Sequence, residues 1–139
     1  MFEFDQGSIG IIRRLQDHER RVKKGIKSAF FVIGKSLNKE FKRQVKEDPK
    51  TGRIYFINGR RHQASAPGQT AANLTGVYRK SVGYKNKGSE LEFGNSAKYA
   101  GWLEEGTKNM EARPGLKNTL KAEEKNTLNT FVFEMLKKS

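Results

Sequence analysis

The sequence contains no cysteine, which excludes disulfides, thiolate nucleophiles and sulfur-ligated metals. Histidine is nearly absent too: His18 lies in a basic helical stretch and His62 in a basic hairpin, and neither has a spacing that builds a zinc site. No apolar run approaches the ~20 residues needed to span a bilayer. The opening Met1-Phe2-Glu3-Phe4-Asp5 is acidic, with no apolar stretch behind a basic one, and predicts no signal peptide. No glycine pattern fits a phosphate loop, since Gly52 and Gly59 lack the Gly-Lys-Ser/Thr ending. The adjacent acidic pairs Glu104/Glu105 and Glu123/Glu124 would point about 100° apart on a helix. Carboxylates that share acid–base work must instead converge on one bond. The expectation is a soluble chain made in a cytoplasm, with no catalytic residue, no cofactor, no metal, no small-molecule ligand and no membrane contact.

What the sequence has in excess is positive charge. Its 139 residues, a length that predicts one domain, carry a net +13. Of the 28 Lys and Arg, 16 fall between Arg13 and His62, against 5 of the 15 Asp and Glu. Such a basic half predicts contact with something acidic, either nucleic acid or an acidic protein surface, unless it is a solubilising helix face.

Apolar residues at Ile12, Leu15, Val22, Ile26, Ala29, Ile33, Leu37, Phe41 and Val45 recur in steps of three, four or seven. That spacing predicts an amphipathic helix over residues 9–47, capped by Ser8 and ended by Asp48-Pro49. Such a rod would be roughly 58 Å long, more than a small domain needs, which hints at an interface. Gly25 and Gly34 within it mark bends or close contacts.

Residues 53–139 read as sheet followed by helix. Arg53–Ile57, Asn58-Gly59 and a polar return strand over Arg60–Ser65 form a hairpin. Thr70–Ser81 reads as a short helix or turn. Ser81–Lys85 and Ser89–Phe93 form a second hairpin around Asn86-Lys87-Gly88, with Leu91 and Phe93 alternating against Glu90 and Glu92. A short helix carries Tyr99, Trp102 and Leu103 as its anchoring face and ends at Gly106. A last helix after Arg113-Pro114 places Leu116, Leu120, Leu128, Phe131 and Met135 on one stripe, widened by Val132 and Leu136. The fold class is therefore α+β, a small antiparallel sheet packed with a long N-terminal helix, a short middle helix and a C-terminal helix. Trp102 is expected in the core, where truncation to alanine would cost about 3–5 kcal/mol.

Three ordered motifs in the second half carry a resemblance. They are Thr75-Gly76-Val77-Tyr78-Arg79-Lys80-Ser81-Val82, then Tyr99-Ala100-Gly101-Trp102-Leu103-Glu104-Glu105-Gly106-Thr107, then Met110 with Ala112-Arg113-Pro114. Over about residues 64–130 the chain resembles the neck and tail-completion proteins of tailed bacteriophages. It departs from their pattern at Gly115, where a bulky aromatic usually follows the proline, and at Asn118, near a frequent second proline. The resemblance implies a structural subunit of a homo-oligomeric ring, six copies favoured over twelve, with viral DNA passing transiently through its centre. Its implied partners are copies of itself, the adjacent head–tail adaptor and the tail-terminator or tail-tube proteins. It would sit in the virion and be assembled in the host cytoplasm. Gly76, Arg79, Ser81, Tyr99, Trp102, Leu103, Glu104, Gly106, Thr107 and Pro114 would then specify the fold, with no reactive role.

The alternative is a sequence-independent nucleic-acid-binding protein. Tyr55 and Phe56 beside Arg60 and Arg61 offer stacking platforms flanked by cations. Under either reading, Arg20, Arg21, Lys23, Lys24, Arg60 and Arg61 are the candidate contacts to DNA or to an acidic partner. An acidic neighbouring ring is favoured, because a channel through which DNA slides gains little from strong phosphate traps. Replacing His18 and His62 together by alanine is expected to leave particle assembly intact. A loss of infectivity from a normally folded double variant would contradict a purely structural role.

Overall fold

The structure, a computed structural model, describes residues 6–138. One helix organises it. α1 spans Gln6–Glu47, about 63 Å at ~1.5 Å per residue. It starts earlier than the sequence suggests, and Ser8 lies inside it. Its end is as expected, and Lys50 closes it by donating from Nζ to the carbonyls of Gln44 (2.9 Å) and Thr70 (2.8 Å). A cation there complements the helix C-terminus, although burial pushes the Lys50 amine below its ordinary pKa.

Only the second half of α1 is packed. Gly25, Ala29, Ile33, Gly34, Leu37, Phe41, Gln44 and Val45 form its buried face. Residues 11–20 are exposed throughout.

The remaining elements are β1 (Ile54–Ile57), β2 (Arg60–Gln63), α2 (Val77–Lys80), β3 (Val82–Asn86), β4 (Leu91–Asn95), α3 (Ala100–Glu105), α4 (Gly115–Ala122) and α5 (Glu124–Lys138). The strands form two separate antiparallel pairs, β1–β2 and β3–β4, where the sequence suggested one sheet. They differ because only β3–β4 lies on α1. There Tyr84 sits so close to Gly34 that a Cβ at Gly34 would fall 2.3 Å from its ring. Gly34 thus marks a close contact.

The β1–β2 hairpin turns at Asn58-Gly59, both with positive φ (52° and 75°), as a tight two-residue hairpin requires. It is held at its base by Gly52 N–H to Ala64 O (2.8 Å) and Ala64 N–H to Arg53 O (2.9 Å). Above the base, Ile54, Tyr55, Phe56 and Ile57 are all exposed. Each faces a polar residue across the ladder: Ile54 pairs with Gln63, Tyr55 with His62, Phe56 with Arg61 and Ile57 with Arg60.

The core consists of two clusters strung along α1. Phe41, Val45, Ala71, Tyr78, Val82 and Ala100 form one, with Leu103 and Leu116 packed against it. Ala29, Ile33 and Leu37 form the other, with Phe30, Leu91 and Phe131. Phe93 touches both. Phe41 is fully buried, edge-on to Tyr78 (centroids 5.0 Å apart) and to Phe93 (6.4 Å).

The last helix is broken at Glu123 into α4 and α5, where the sequence suggested one helix. α5 runs back along α1. Ser28 Oγ donates to Glu134 Oε2 (2.9 Å), and Ser36 Oγ donates to Glu123 Oε2 (3.0 Å). Phe30 meets Phe131 between these two contacts. This antiparallel pairing runs out near Gly25, so roughly 25 Å of α1 projects beyond it as an arm.

Trp102 corrects the sequence reading: it is 62% exposed. Its helix is only six residues long, and Ala100 and Leu103 supply the inward contacts. Trp102→Ala is accordingly expected to melt within a degree or two of the parent. Phe41→Ala should lose about 3–5 kcal/mol. Thermal or urea unfolding of the two variants side by side checks both.

Candidate interaction surfaces

Most of the motif residues converge on one structural node beside α1. Gly76 adopts a left-handed backbone (φ 84°) at the start of α2. Ser81 ends that helix, its Oγ donating to Val77 O (2.6 Å), and its carbonyl accepts from the Ser96 N–H (3.0 Å). The two ends of the β3–β4 hairpin are tied together in this way. Tyr99 stacks at a tilt on Tyr78, with centroids 6.1 Å apart. Burial, with Glu104 adding to it, pushes the Tyr78 hydroxyl well above its ordinary pKa.

Glu104 has the most specific role. Its two carboxylate oxygens accept from the Leu116 N–H (3.0 Å) and the Lys117 N–H (2.8 Å), the unpaired donors at the N-terminus of α4. A negative charge there also suits the helix dipole. Pro114 precedes this helix, so a carboxylate from α3 supplies the cap that no neighbouring side chain does. Leu103 O accepts from the Arg113 N–H (2.6 Å), and Thr107 and Met110 pair across the intervening turn. Gly106 makes that turn possible: its φ is 79°, and a Cβ would fall 2.9 Å from both Met110 O and Ala112 N. Gly115 is explained by packing, since a Cβ there would meet the Tyr78 hydroxyl at 2.7 Å and Phe41 at 3.0 Å. Asn118 donates to Gly68 O (3.0 Å) and Thr70 Oγ1 (3.2 Å), two bonds a proline could not make.

Beyond this node, three uncovered apolar surfaces stand out among the described residues. The arm of α1 exposes Ile11, Ile12 and Leu15. The outer face of α5 exposes Leu128, Val132 and Leu136, four residues apart, with Phe133 beside them. The sequence merged this stripe with Phe131 and Met135, which are half-buried, and Phe131 packs against the cluster on α1; two interleaved rows at i, i+4 were the available signal. The third surface is β1. Between its hairpin and the motif node lies a groove of about 550 Å³ lined by Tyr55, Leu74, Tyr99, Leu103, Met110 and Arg113.

The basic surface is distributed differently from the sequence expectation. On the arm, Arg20 pairs with Asp17 (3.4 Å) and Lys23 with Glu19 (2.7 Å), while Arg21 and Lys24 are exposed without ion pairs among the described residues. Arg60 and Arg61 are exposed on β2, far along the chain from these. Arg43 is bound by Glu40 (2.7 Å) and Asp48 (2.8 Å), and its hydrogen bond holds the Glu40 carboxyl below its usual range. In contrast, Lys39, Lys42 and Lys46 are exposed on α1 with no hydrogen bond or ion pair among the described residues. These three line a groove of about 540 Å³ together with Arg79. The Arg79 Nε is buried and has no hydrogen-bond partner among the described residues.

Among the described residues there is no cluster of His, Cys, Asp or Glu that could hold a metal, and no helix is long and apolar enough to cross a membrane. No curated protein and no solved structure matches the chain. Residues 10–106 match the family model described as "Bacteriophage HK97-gp10, putative tail-component". The motif resemblance was placed over residues 64–130; the match instead takes in most of α1 and stops at Gly106, before the Met110 and Pro114 motif. With well over half of its length matched, from α1 through α3, the chain belongs to the HK97-gp10-like family of bacteriophage tail components.

Proposed function

We propose that this virion protein is a subunit of the neck or tail-completion ring that joins head to tail, six copies surrounding a channel for viral DNA. Twelve copies would be the alternative symmetry. The observation that carries this reading is a pair of uncovered apolar stripes: Ile11 and Leu15 on the projecting arm of α1, and Leu128, Val132 and Leu136 on the outer face of α5. Exposed apolar surface on this scale marks an interaction site. Full burial of each such side chain contributes about 1.5–3 kcal/mol. The two stripes lie on different surfaces of the molecule, so a contact joining one to the other on the next copy is head-to-tail. Head-to-tail contacts generate rings when the rotation closes. The rings above and below, an adaptor on the head side and a tail-terminator or tail tube on the other, would meet the remaining faces, with acidic patches opposite Arg21, Arg60 and Arg61.

The test is to replace Leu15 or Val132 by glutamate and to measure particle size and incorporation into tails. Both residues are exposed in the single chain, so melting should be unchanged. The parent is expected to form a closed ring, alone or on the assembling particle, and each variant to remain a folded monomer missing from particles. Normal incorporation of both variants would overturn the reading.

A further inference from the structure

The outer face of α1 carries a cationic row that the ring reading leaves unused. Arg13, Lys24, Lys35 and Lys46 recur every eleven residues, three helical turns, and so stand on one line about 16 Å apart. Lys39 and Lys42 fill the last interval on the same side. All six are exposed. None is in an ion pair among the described residues, although Lys35 Nζ rests over the Phe31 ring at 4.3 Å. The row is therefore neither a salt-bridge ladder nor a partner face for this chain's own carboxylates. At its end lies the groove that Lys39, Lys42 and Lys46 share with Arg79. Glu40, Glu47 and Glu123 also line it, but Glu40 is engaged by Arg43 and Gln44, and Glu123 by Ser36 and Asn126.

Arg79 is the informative member. Its Nε–H is buried with no acceptor among the described residues. Its guanidinium adds to the groove a planar cation of the kind suited to a phosphate.

We infer that the outer face of α1, with the Arg79 groove at its end, binds the phosphate backbone of duplex DNA without regard to sequence. The row covers roughly 50 Å of helix in a straight line. A linear polyanion with a charge every ~1.7 Å of axis matches such a track. The inference rests on the ring reading for the DNA it would meet, and it assigns α1's outer face to the channel.

The experiment measures binding of a random-sequence duplex, longer than α1, against salt concentration. The parent is compared with a variant carrying Lys35→Gln, Lys39→Gln, Lys42→Gln and Lys46→Gln, with an Arg79→Gln variant, and with an arm control carrying Arg20→Gln and Lys23→Gln. Melting curves confirm that each is folded; the lysine variant changes only exposed side chains and keeps the test valid if Arg79→Gln unfolds. The parent's log–log slope should lose about 0.9 per phosphate contact removed in the lysine variant, and the arm control should keep the parent's slope. A parent that does not bind duplex at low salt would overturn the inference, as would a lysine variant with the parent's slope. Loss of particle incorporation with DNA binding unchanged would overturn it in favour of an acidic protein partner. Ring formation is read separately from particle size, so a monomer whose DNA binding depends on these lysines would support the surface and refute only the ring.

Discussion

Phe41 has no exposed surface, and three other parts of the chain meet on it. Tyr78 of α2 and Phe93 of β4 take its ring edges, and α4 begins at Gly115, which has no side chain to keep it away. The second half of α1 is thereby the floor for both the β3–β4 hairpin and the C-terminal helices. The constraint is steric as much as hydrophobic. Tyr78 lies between Phe41 and Tyr99, so α3 is placed through the same stack. Glu104 then fixes α4 from α3, and α4 leads into α5, which returns along α1. Loosening Phe41 would loosen elements far from it in sequence.

How much of this could be read from the amino-acid order depended on the range of the interaction concerned. α1 was legible because its apolar residues repeat along forty residues, and the β1–β2 turn because Asn58-Gly59 determines its own backbone. The alternation of Leu91 and Phe93 with Glu92 correctly gave a strand with one inner face. Trp102 was misread because size and hydrophobicity say nothing about which side of a six-residue helix meets the core. The break at Glu123 was missed because no proline or glycine marks it. The capping of α4 by Glu104 was invisible for a different reason: its partners are twelve and thirteen residues away, on an element whose placement depends on the fold. Likewise the charge of the basic half was countable in the sequence, but which cations were already neutralised was not.

Those neutralised cations divide α1 into regions with different chemistry. Arg43 is bound by two carboxylates at the end of the helix, and Arg20 and Lys23 hold exposed partners one turn away. Exposed pairs of that kind contribute little to stability, about 0–1 kcal/mol. Their effect is on the surface field: they lower the charge seen along one side of the arm and leave the row from Lys35 to Lys46 as the stronger positive stretch. The apolar residues of the arm and the unpaired row thus lie on different sides of α1, while Phe31, 49% exposed, lies among the cations under Lys35.

The β1–β2 hairpin combines two opposing tendencies. Its first strand, Ile-Tyr-Phe-Ile, is short, β-branched and aromatic, with its ladder edge open, the composition that templates fibrils. Its register opposes this tendency. Two copies stacking through Phe56 and Ile57 would bring Arg61 and Arg60 of each against those of the other, and charge on an edge is a general defence against such growth. The hairpin is therefore built to resist edge-to-edge pairing with a second copy of itself.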